Sequence, residues 1–335
     1  MPTQPPSPAL FFDTVNAYQR SAAMKAAIEL DCFSAIAGGS DTAVALARRC
    51  GADERGMRIL CDYLTVLGFL TKEKSRYRLT SDTAVFLDRA SPAYCGGTIE
   101  FLLAPTQTGA FADLAAVVRK GGTVLPRDGS LAPQHPMWVT FARAMAPLMA
   151  LPAQLIAERF AGEARPLKVL DVAAGHGLFG IAIAQRNPQA RIVALDWPNV
   201  LAVARENAQR AGIGERYEVI EGSVLDTDCG SGYDVVLLTN FLHHFDPHTN
   251  ERLLRRLHAA SNDGGRALTL EFVPNEDRVT PPVAAAFSLM MLGSTPKGDA
   301  YTFVELDRMF GNAGYTRSEL HDLPPTLQQV IVSYR

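Results

Sequence analysis

The sequence predicts an α/β protein: an open, mostly parallel sheet with helices on its faces, preceded by a helical module. Three observations carry this reading. From Lys168 onward, short apolar runs alternate with helical patterns, the mark of successive βαβ units. The first unit, Lys168 to Gly180, reads Lys-Val-Leu-Asp-Val-Ala-Ala-Gly-His-Gly-Leu-Phe-Gly, a strand ending in a Gly-rich loop that opens a helix. Ahead of it the chain reads helix, helix, helix, hairpin, a winged-helix-like order. The expected divisions are a winged-helix-like domain over 1–100, a helical connector and pocket wall over 101–165, and a Rossmann-like domain over 166–335.

At 335 residues and 47% hydrophobic content the chain has ample material for two cores, and its net charge of −3 gives no reason to expect nucleic acid or an anionic membrane as partner. The cysteines, Cys32, Cys50, Cys61, Cys95 and Cys229, are odd in number and lack metal or redox spacing, which fits a reducing cytoplasm. Met1 to Leu10 is Pro-rich, without the basic start and apolar core of a signal peptide. The most apolar window, Ala144 to Ala157, is interrupted by Pro147, Pro152 and Gln154 and is too short to span a bilayer.

In the N-terminal module, Phe11 to Ile36 reads as a helix or a broken pair. Its first part, Phe11 to Leu30, is apolar on more than one face, as expected of a helix buried between subunits. Asp41 to Arg49 reads as a helix with Ser40 as N-cap, and Glu54 to Leu67 as another with Asp53 as N-cap and Gly68 as the C′ glycine. Phe69 to Thr71 and Tyr77 to Thr80 form the hairpin. Arg48, Arg49, Arg55 and Arg58 raise DNA binding as an option. Residues 41–89 hold nine basic and seven acidic side chains, however, so no basic footprint exists and a dimerisation or lid module is favoured.

Ser91 to Pro166 reads as helix broken by Gly and Pro, with Gly121-Gly122 and Pro126 to Pro136 as loops. Trp138, Phe141, Met145 and Leu148 recur at helical spacing. Such a stripe is either core or the wall of a pocket for a flat or irregular apolar ligand.

Gly175, Gly177 and Gly180 match G-x-G-x-x-G, but Asp171 puts a carboxylate beside the loop, four residues before Gly175. A pyrophosphate would be repelled there and a cation would not. The second strand, Arg191 to Leu195, ends at Asp196-Trp197-Pro198. An acid in that place can hold both ribose hydroxyls, or else cap the next helix, Asn199 to Ala211; Trp197 is placed to lie on an adenine. The third strand is Tyr217 to Ile220. The fourth, Tyr233 to Thr239, delivers Asn240-Phe241-Leu242-His243-His244-Phe245-Asp246 to the carboxyl edge of the sheet, where ligands bind in open α/β folds. A helix over Asn250 to Ala260 precedes a fifth strand, Arg266 to Phe272. Helices over Pro281 to Leu292 and Tyr301 to Ala313 and a closing pair of strands around Pro324-Pro325 complete the chain. Phe141, Met145, Phe287, Met290 and Met291 are the candidate apolar substrate pocket.

The acid-x-x-x-Gly-x-Gly spacing resembles motif I of the class I S-adenosylmethionine (SAM) methyltransferases. At nearly full length the sequence resembles their small-molecule O-methyltransferases, the plant caffeate type and its bacterial relatives, which join a winged-helix-like dimerisation domain to a seven-stranded SAM domain. The resemblance implies SAM as cofactor, a homodimer, and transfer of a methyl group to a hydroxyl of a small aromatic molecule. It implies cofactor contacts from Asp171, Ala173, Gly175, Asp196, Trp197, Ser223, Val224, Thr239 and Asn240. Ser223 replaces the acid the family often has in this loop. The family's catalytic base falls on His243 and one of its two orienting acids on Glu271; where the second should stand the chain has Ala300, with Asp299 beside it. An ordinary imidazole, with a pKa near 6.5, is suited to take a proton from a phenol.

Two other readings remain open at this point. A nicotinamide oxidoreductase rests on the literal glycine pattern, and a DNA-binding regulator on the N-terminal module. Metal-assisted C-methylation of an α-keto acid is a variant of the leading reading. His243, His244, Asp246 and His248 are dense enough to raise a metal, but adjacent histidines should diverge and no His lies between Glu271 and Pro296, so no metal is expected. Asp246-Pro247 is more simply a helix N-cap and N1.

Overall fold

The computed structural model describes residues 5–132 and 134–335; Met1 to Gln4 of the Pro-rich start, and Pro133 of the 126–136 segment, lie outside the described residues. The chain divides into two compact units, residues 1–104 and 105–335.

In the first unit the stretch read as one helix or a pair is three. They are α1 (Ala9–Val15), α2 (Ala17–Glu29) and α3 (Cys32–Ala37), with the second break at Asp31, whose φ of 55° turns the chain. Then come α4 (Ala43–Cys50), α5 (Glu54–Val66), the antiparallel hairpin β1 (Leu70–Glu73) and β2 (Arg76–Leu79), α6 (Ser81–Phe86) and α7 (Ile99–Leu102). Asp53 accepts from the Gly56 N–H, as its N-cap assignment requires. The cap of α4 is Thr42, not Ser40. Residues 41–42 are drawn into extended conformation by a bridge from Thr42 to Arg76 and a 2.7 Å bond from the Tyr77 N–H to the Asp41 carbonyl, so the helix starts two residues late. Phe33, Leu46, Met57, Leu64, Leu70 and Tyr77 fill the core of this unit. No residue of α1 is buried, and Phe11, Phe12 and Val15 are more than half exposed.

The second unit opens with α8 (Pro105–Gly109), α9 (Leu114–Lys120), a 3-10 turn over Pro126–Leu131, α10 (Met137–Ala144) and α11 (Ala146–Phe160). The aromatic–Met stripe does not lie on one helix. The chain bends by 64° between α10 and α11, with Pro147 in the first turn of α11, and Leu148 is left 40% exposed. No single helix among the described residues is long and apolar enough to cross a membrane.

The alternating elements follow: β3 (Lys168–Val172), α12 (Leu178–Arg186), β4 (Arg191–Asp196), α13 (Pro198–Arg210), β5 (Tyr217–Glu221), β6 (Tyr233–Thr239), α14 (Pro247–Ala260) and β7 (Ser261–Glu271). The chain closes with α15 (Pro282–Ser294), α16 (Phe303–Ala313), β8 (Arg317–Asp322) and β9 (Gln329–Tyr334). The seven strands lie in the order β5-β4-β3-β6-β7-β9-β8; the first five run parallel, and β9 and β8 are antiparallel to their neighbours. β7 begins earlier than expected because Ser261 still pairs with Tyr233, with an irregularity before Arg266 resumes the ladder.

Both faces are covered, and successive strand residues alternate between them. Val169, Ile192, Val235, Leu237 and Leu268 pack with α11, α12 and α13 on one face; Leu170, Val193, Val236, Leu238 and Ile331 pack with α14 and α16 on the other. The strand order reverses across β3 and β6, and their carboxyl ends define the crevice where an open α/β sheet takes its ligand.

Candidate active site

Two non-glycine residues mark that crevice. Ala173, directly after β3, has φ 51°, and Asn240, directly after β6, has φ 55°. Left-handed backbone at alanine is strained and persists where the surroundings impose it, most often at functional sites. Asn240 is gripped from both sides: its Oδ1 accepts from Gln328 and its Nδ2 lies 3.6 Å from the Met149 sulfur.

Asp196 ends β4. Its Oδ2 accepts from the Gly175 N–H at 2.9 Å and its Oδ1 from its neighbour Trp197 N–H at 2.6 Å. It is therefore not the cap of α13, whose N-cap, Trp197, makes no side-chain bond. Burial pushes the Asp196 carboxyl up to about 6, against the two N–H groups that favour its charge. Trp197 is partly buried against Ala142, Val200 and Val203. The Gly222 N–H donates to the Asp196 carbonyl, bringing the Ser223 loop to the same edge. Ser223 turns its hydroxyl onto the Leu225 N–H, and Arg256 holds the loop from below through the carbonyls of Val224, Leu225 and Thr227. Thr239, the last residue of β6, is buried.

Asp171 lies elsewhere than the sequence implied. It is fully buried under α12, where its Oδ2 accepts from the Gly180 N–H at 3.1 Å. The N-cap of α12 is Gly177, which has no side chain to offer, so Asp171 caps the helix from the neighbouring strand. Its Oδ1 has no partner among the described residues, and burial pushes the carboxyl up to about 7. A Cβ on Gly177 would sit 2.5 Å from the Tyr217 hydroxyl and one on Gly180 would sit 3.0 Å from Asp171 Oδ2, so both positions require glycine. Gly175 has only ordinary contacts at that position, the nearest being the Ala173 carbonyl and the Phe141 ring. His176 is buried in the loop, its Nδ1 accepting from the Leu178 N–H, and burial lowers it to about 4.

His243 rides on a 3-10 turn, Leu242–His244, at the end of β6. Its Nδ1 lies 2.6 Å from Oε2 of Glu271, the last residue of β7, while Oε1 of Glu271 accepts from the N–H groups of Phe241 and Leu242 at 3.0 and 2.9 Å. A carboxylate only accepts, so Nδ1 carries the proton and Nε2 keeps its lone pair. The adjacent histidines do not diverge. Their rings lie 4.2 Å apart at 33°. His244 donates from Nδ1 to the Phe241 carbonyl at 3.1 Å, and burial, then the neighbouring His243, holds it well below the usual range. Among the described residues no three His, Cys, Asp or Glu side chains converge on a metal-sized site.

Aromatic rings line this turn. Phe287 stands edge-on to His243 at 4.8 Å and packs on Phe272 at 4.6 Å; Trp138 stands edge-on to His244 at 5.4 Å and to Phe141 at 5.7 Å. Met145 and Met290 are partly exposed, whereas Met291 is buried. Asp299 does not bring its carboxylate to the His243 ring. Oδ2 pairs with Arg278 at 3.4 Å and Oδ1 accepts from the Ala300 N–H; the residue reaches the turn only through its own N–H, on the His243 carbonyl at 3.0 Å.

Residues 133–316, more than half of the chain, match the family described as the O-methyltransferase domain. The chain belongs to the O-methyltransferases. Residues 12–89 match the O-methyltransferase dimerisation domain. A crystal structure of a Nostoc punctiforme protein assigned to the O-methyltransferases is 58% identical, covers 99% of this chain and 100% of its own, and superposes with a TM-score of 0.97. The 3-hydroxy-5-methyl-1-naphthoate 3-O-methyltransferase of Streptomyces sahachiroi is 29% identical over 92% of this chain and 89% of its own length. Human N-acetylserotonin methyltransferase in complex with SAM shares the fold at a TM-score of 0.85 and 21% identity, over 100% of this chain and 99% of that one. The O-methyltransferase is therefore SAM-dependent, and the nicotinamide and DNA-regulator readings fall away. The polar groups at the sheet edge fit such a group: the Asp196 carboxylate, the neutral Ser223 hydroxyl and Asn240 amide, and an indole beside them.

Sequence reasoning missed Gln328, Met149, Arg256, Phe272 and Asn250. Gln328 follows a Pro-Pro turn far from any motif, and Arg256 reads as a solvated helix position. Asn250 looks like an ordinary first-turn residue. Only Phe272, one residue past Glu271, had a signal in its place at a strand end.

Proposed function

We propose that this O-methyltransferase transfers a methyl group to the hydroxyl of a small aromatic compound, with His243 as general base, and that it works as a homodimer. The observation that carries the reading is the 2.6 Å His243–Glu271 pair inside a wall of Phe287, Phe272 and Trp138. S-adenosylmethionine supplies an electrophilic methyl group on a sulfonium. Asp196 would accept from the ribose hydroxyls and Trp197 would flank the adenine, with Ala173, Gly175, Ser223, Val224, Thr239 and Asn240 shaping the edge around them; Asp171 contributes by fixing α12.

The aromatic wall and the partly exposed Met145 and Met290 hold the acceptor ring flat with its hydroxyl toward Nε2 of His243. Most of the acceleration then comes from orientation. His243 takes the hydroxyl proton at Nε2, and Glu271 keeps the proton on Nδ1 and balances the imidazolium that forms. Asp299 acts through its main chain alone. Segment 101–165 serves as the pocket wall through Trp138 and Phe141.

The naphthoate substrate in the name of the Streptomyces relative supports a fused or substituted aromatic acceptor. The dimerisation-domain match and the exposed apolar side chains of α1 support the homodimer, and five unpaired cysteines support a reducing cytoplasm. The test is calorimetric titration with S-adenosylhomocysteine, followed by a screen of hydroxynaphthoates and substituted phenols with SAM. Methylation of an aromatic hydroxyl that His243→Ala abolishes supports the reading. Methylation only of non-aromatic or carbon acceptors, or full activity in His243→Ala, overturns it.

A further inference from the structure

The turn that carries His243 is held by more than Glu271. Asn250, on α14, is fully buried, and its Nδ2 donates to the Leu242 carbonyl at 2.9 Å and the Phe245 carbonyl at 3.4 Å, one on each side of the two histidines. The Tyr301 hydroxyl, from the segment before α16, donates to the same Phe245 carbonyl at 2.6 Å. Between these, the Asp299 N–H holds the His243 carbonyl, and Gly298 lies so close that a Cβ there would be 2.3 Å from that oxygen. The carbonyls of Leu242, His243 and Phe245 are thus tied to two elements other than the turn's own strand.

Asn250 also carries an unpaired oxygen, since its buried Oδ1 has no partner among the described residues. A buried amide with half its capacity unmet lowers stability. What the amide delivers is its two donors, both aimed at the base turn. The family's second orienting acid is replaced here by Ala300, and the segment that should carry it clamps the main chain instead.

We propose that Asn250 and Tyr301 are positioning residues for methyl transfer: they fix the 242–245 turn through its carbonyls, so that a single carboxylate, Glu271, orients His243. The inference rests on His243 as the base. Loosening the turn lets the ring swing about its bond to Glu271, so that Nε2 meets the acceptor hydroxyl in only a fraction of encounters.

The test reads the His243–Glu271 bond directly. Proton NMR of the full chain with S-adenosylhomocysteine bound follows the downfield His243 Nδ1 proton, assigned by its loss in His243→Gln. In Tyr301→Phe and in Asn250→Leu that proton exchanges with solvent about tenfold faster, the factor one hydrogen bond carries, while the melting temperature falls by no more than about 4 °C and the dissociation constant for S-adenosylhomocysteine stays within about twofold of wild type. Tyr301→Phe removes one oxygen and decides the matter if Asn250→Leu does not fold. An unchanged exchange rate overturns the proposal, and so does faster exchange that only tracks a lower melting temperature. Full methyl transfer by His243→Ala would instead overturn the base assignment and leave the proton measurement as it was.

Discussion

Nδ1 of His243 and Oε2 of Glu271 are 2.6 Å apart, and both side chains are almost sealed from solvent. The same carboxylate closes the N–H groups of Phe241 and Leu242. It therefore sets the tautomer of His243, the proposed base, and the shape of the turn at once. Glu271→Gln keeps the size of the side chain but loses the charge that favours Nδ1–H. We expect kcat to fall about 100-fold, within the range general-base catalysis contributes, with binding of S-adenosylhomocysteine unchanged by calorimetry.

The proposed ribose contact at Asp196 predicts a pH dependence of cofactor binding with a fixed sign. The Asp196 carboxyl is held up to about 6 by burial, so it loses its charge as pH falls through 6, and the proposed acceptor for the ribose would be weakened with it. The dissociation constant for S-adenosylhomocysteine should rise about tenfold between pH 7.5 and pH 5. Asp196→Asn should bind weakly at both pH values, with the dependence gone.

Asp171 should dominate the pH dependence of stability in the unliganded protein. A carboxyl raised to about 7 in the fold and near 3.9 in the unfolded chain stabilises the fold below pH 4, and that contribution is lost as pH rises through 7. Denaturant titrations of wild type and Asp171→Asn should therefore diverge between pH 4 and pH 8, wild type losing on the order of 3 kcal/mol relative to the variant.

Tyr217 presents the opposite kind of buried group. Its hydroxyl has no hydrogen-bond partner among the described residues and sits where a Gly177 side chain would go. Tyr217→Phe should be neutral or stabilising by thermal melt, whereas Gly177→Ala, at φ 75°, should cost about 1–3 kcal/mol.

Phe12 is 56% exposed on a helix with no buried residue, within the match to the dimerisation domain. Phe12→Asp should shift the mass measured by light scattering from dimer toward monomer. A wild-type chain that is already monomeric would refute the homodimer.

Much of this was legible in the sequence because it depends on local spacing. The strand ends that deliver Asp196, His243 and Glu271 follow from apolar runs of fixed length, and the Asp53 and Asp246 caps from a polar residue ahead of a helix. What stayed hidden depends on direction and distance. Asp171 was read as facing the loop because strand residues alternate between two faces and the sequence does not say which face α12 covers. Adjacent histidines are expected to diverge, yet the His243 and His244 rings lie 4.2 Å apart, each held by its own Nδ1 bond, to Glu271 and to the Phe241 carbonyl. Gln328 and Asn250 reach the site across 88 and 8 residues of chain with no motif to mark them.

Ala173 and Asn240 stand left-handed at the ends of neighbouring strands. Glycine at 173 would relieve about 1–2 kcal/mol of backbone strain. It would also admit many more conformers, in the unfolded chain and in the loop itself. With alanine in place, the rim of the crevice would have its shape before the proposed nucleoside arrives, and little ordering would be left to be done on binding. Affinity at this edge would then depend on rigidity as much as on contacts. Softening the rim by a single methyl deletion would show up as faster dissociation from a more stable protein.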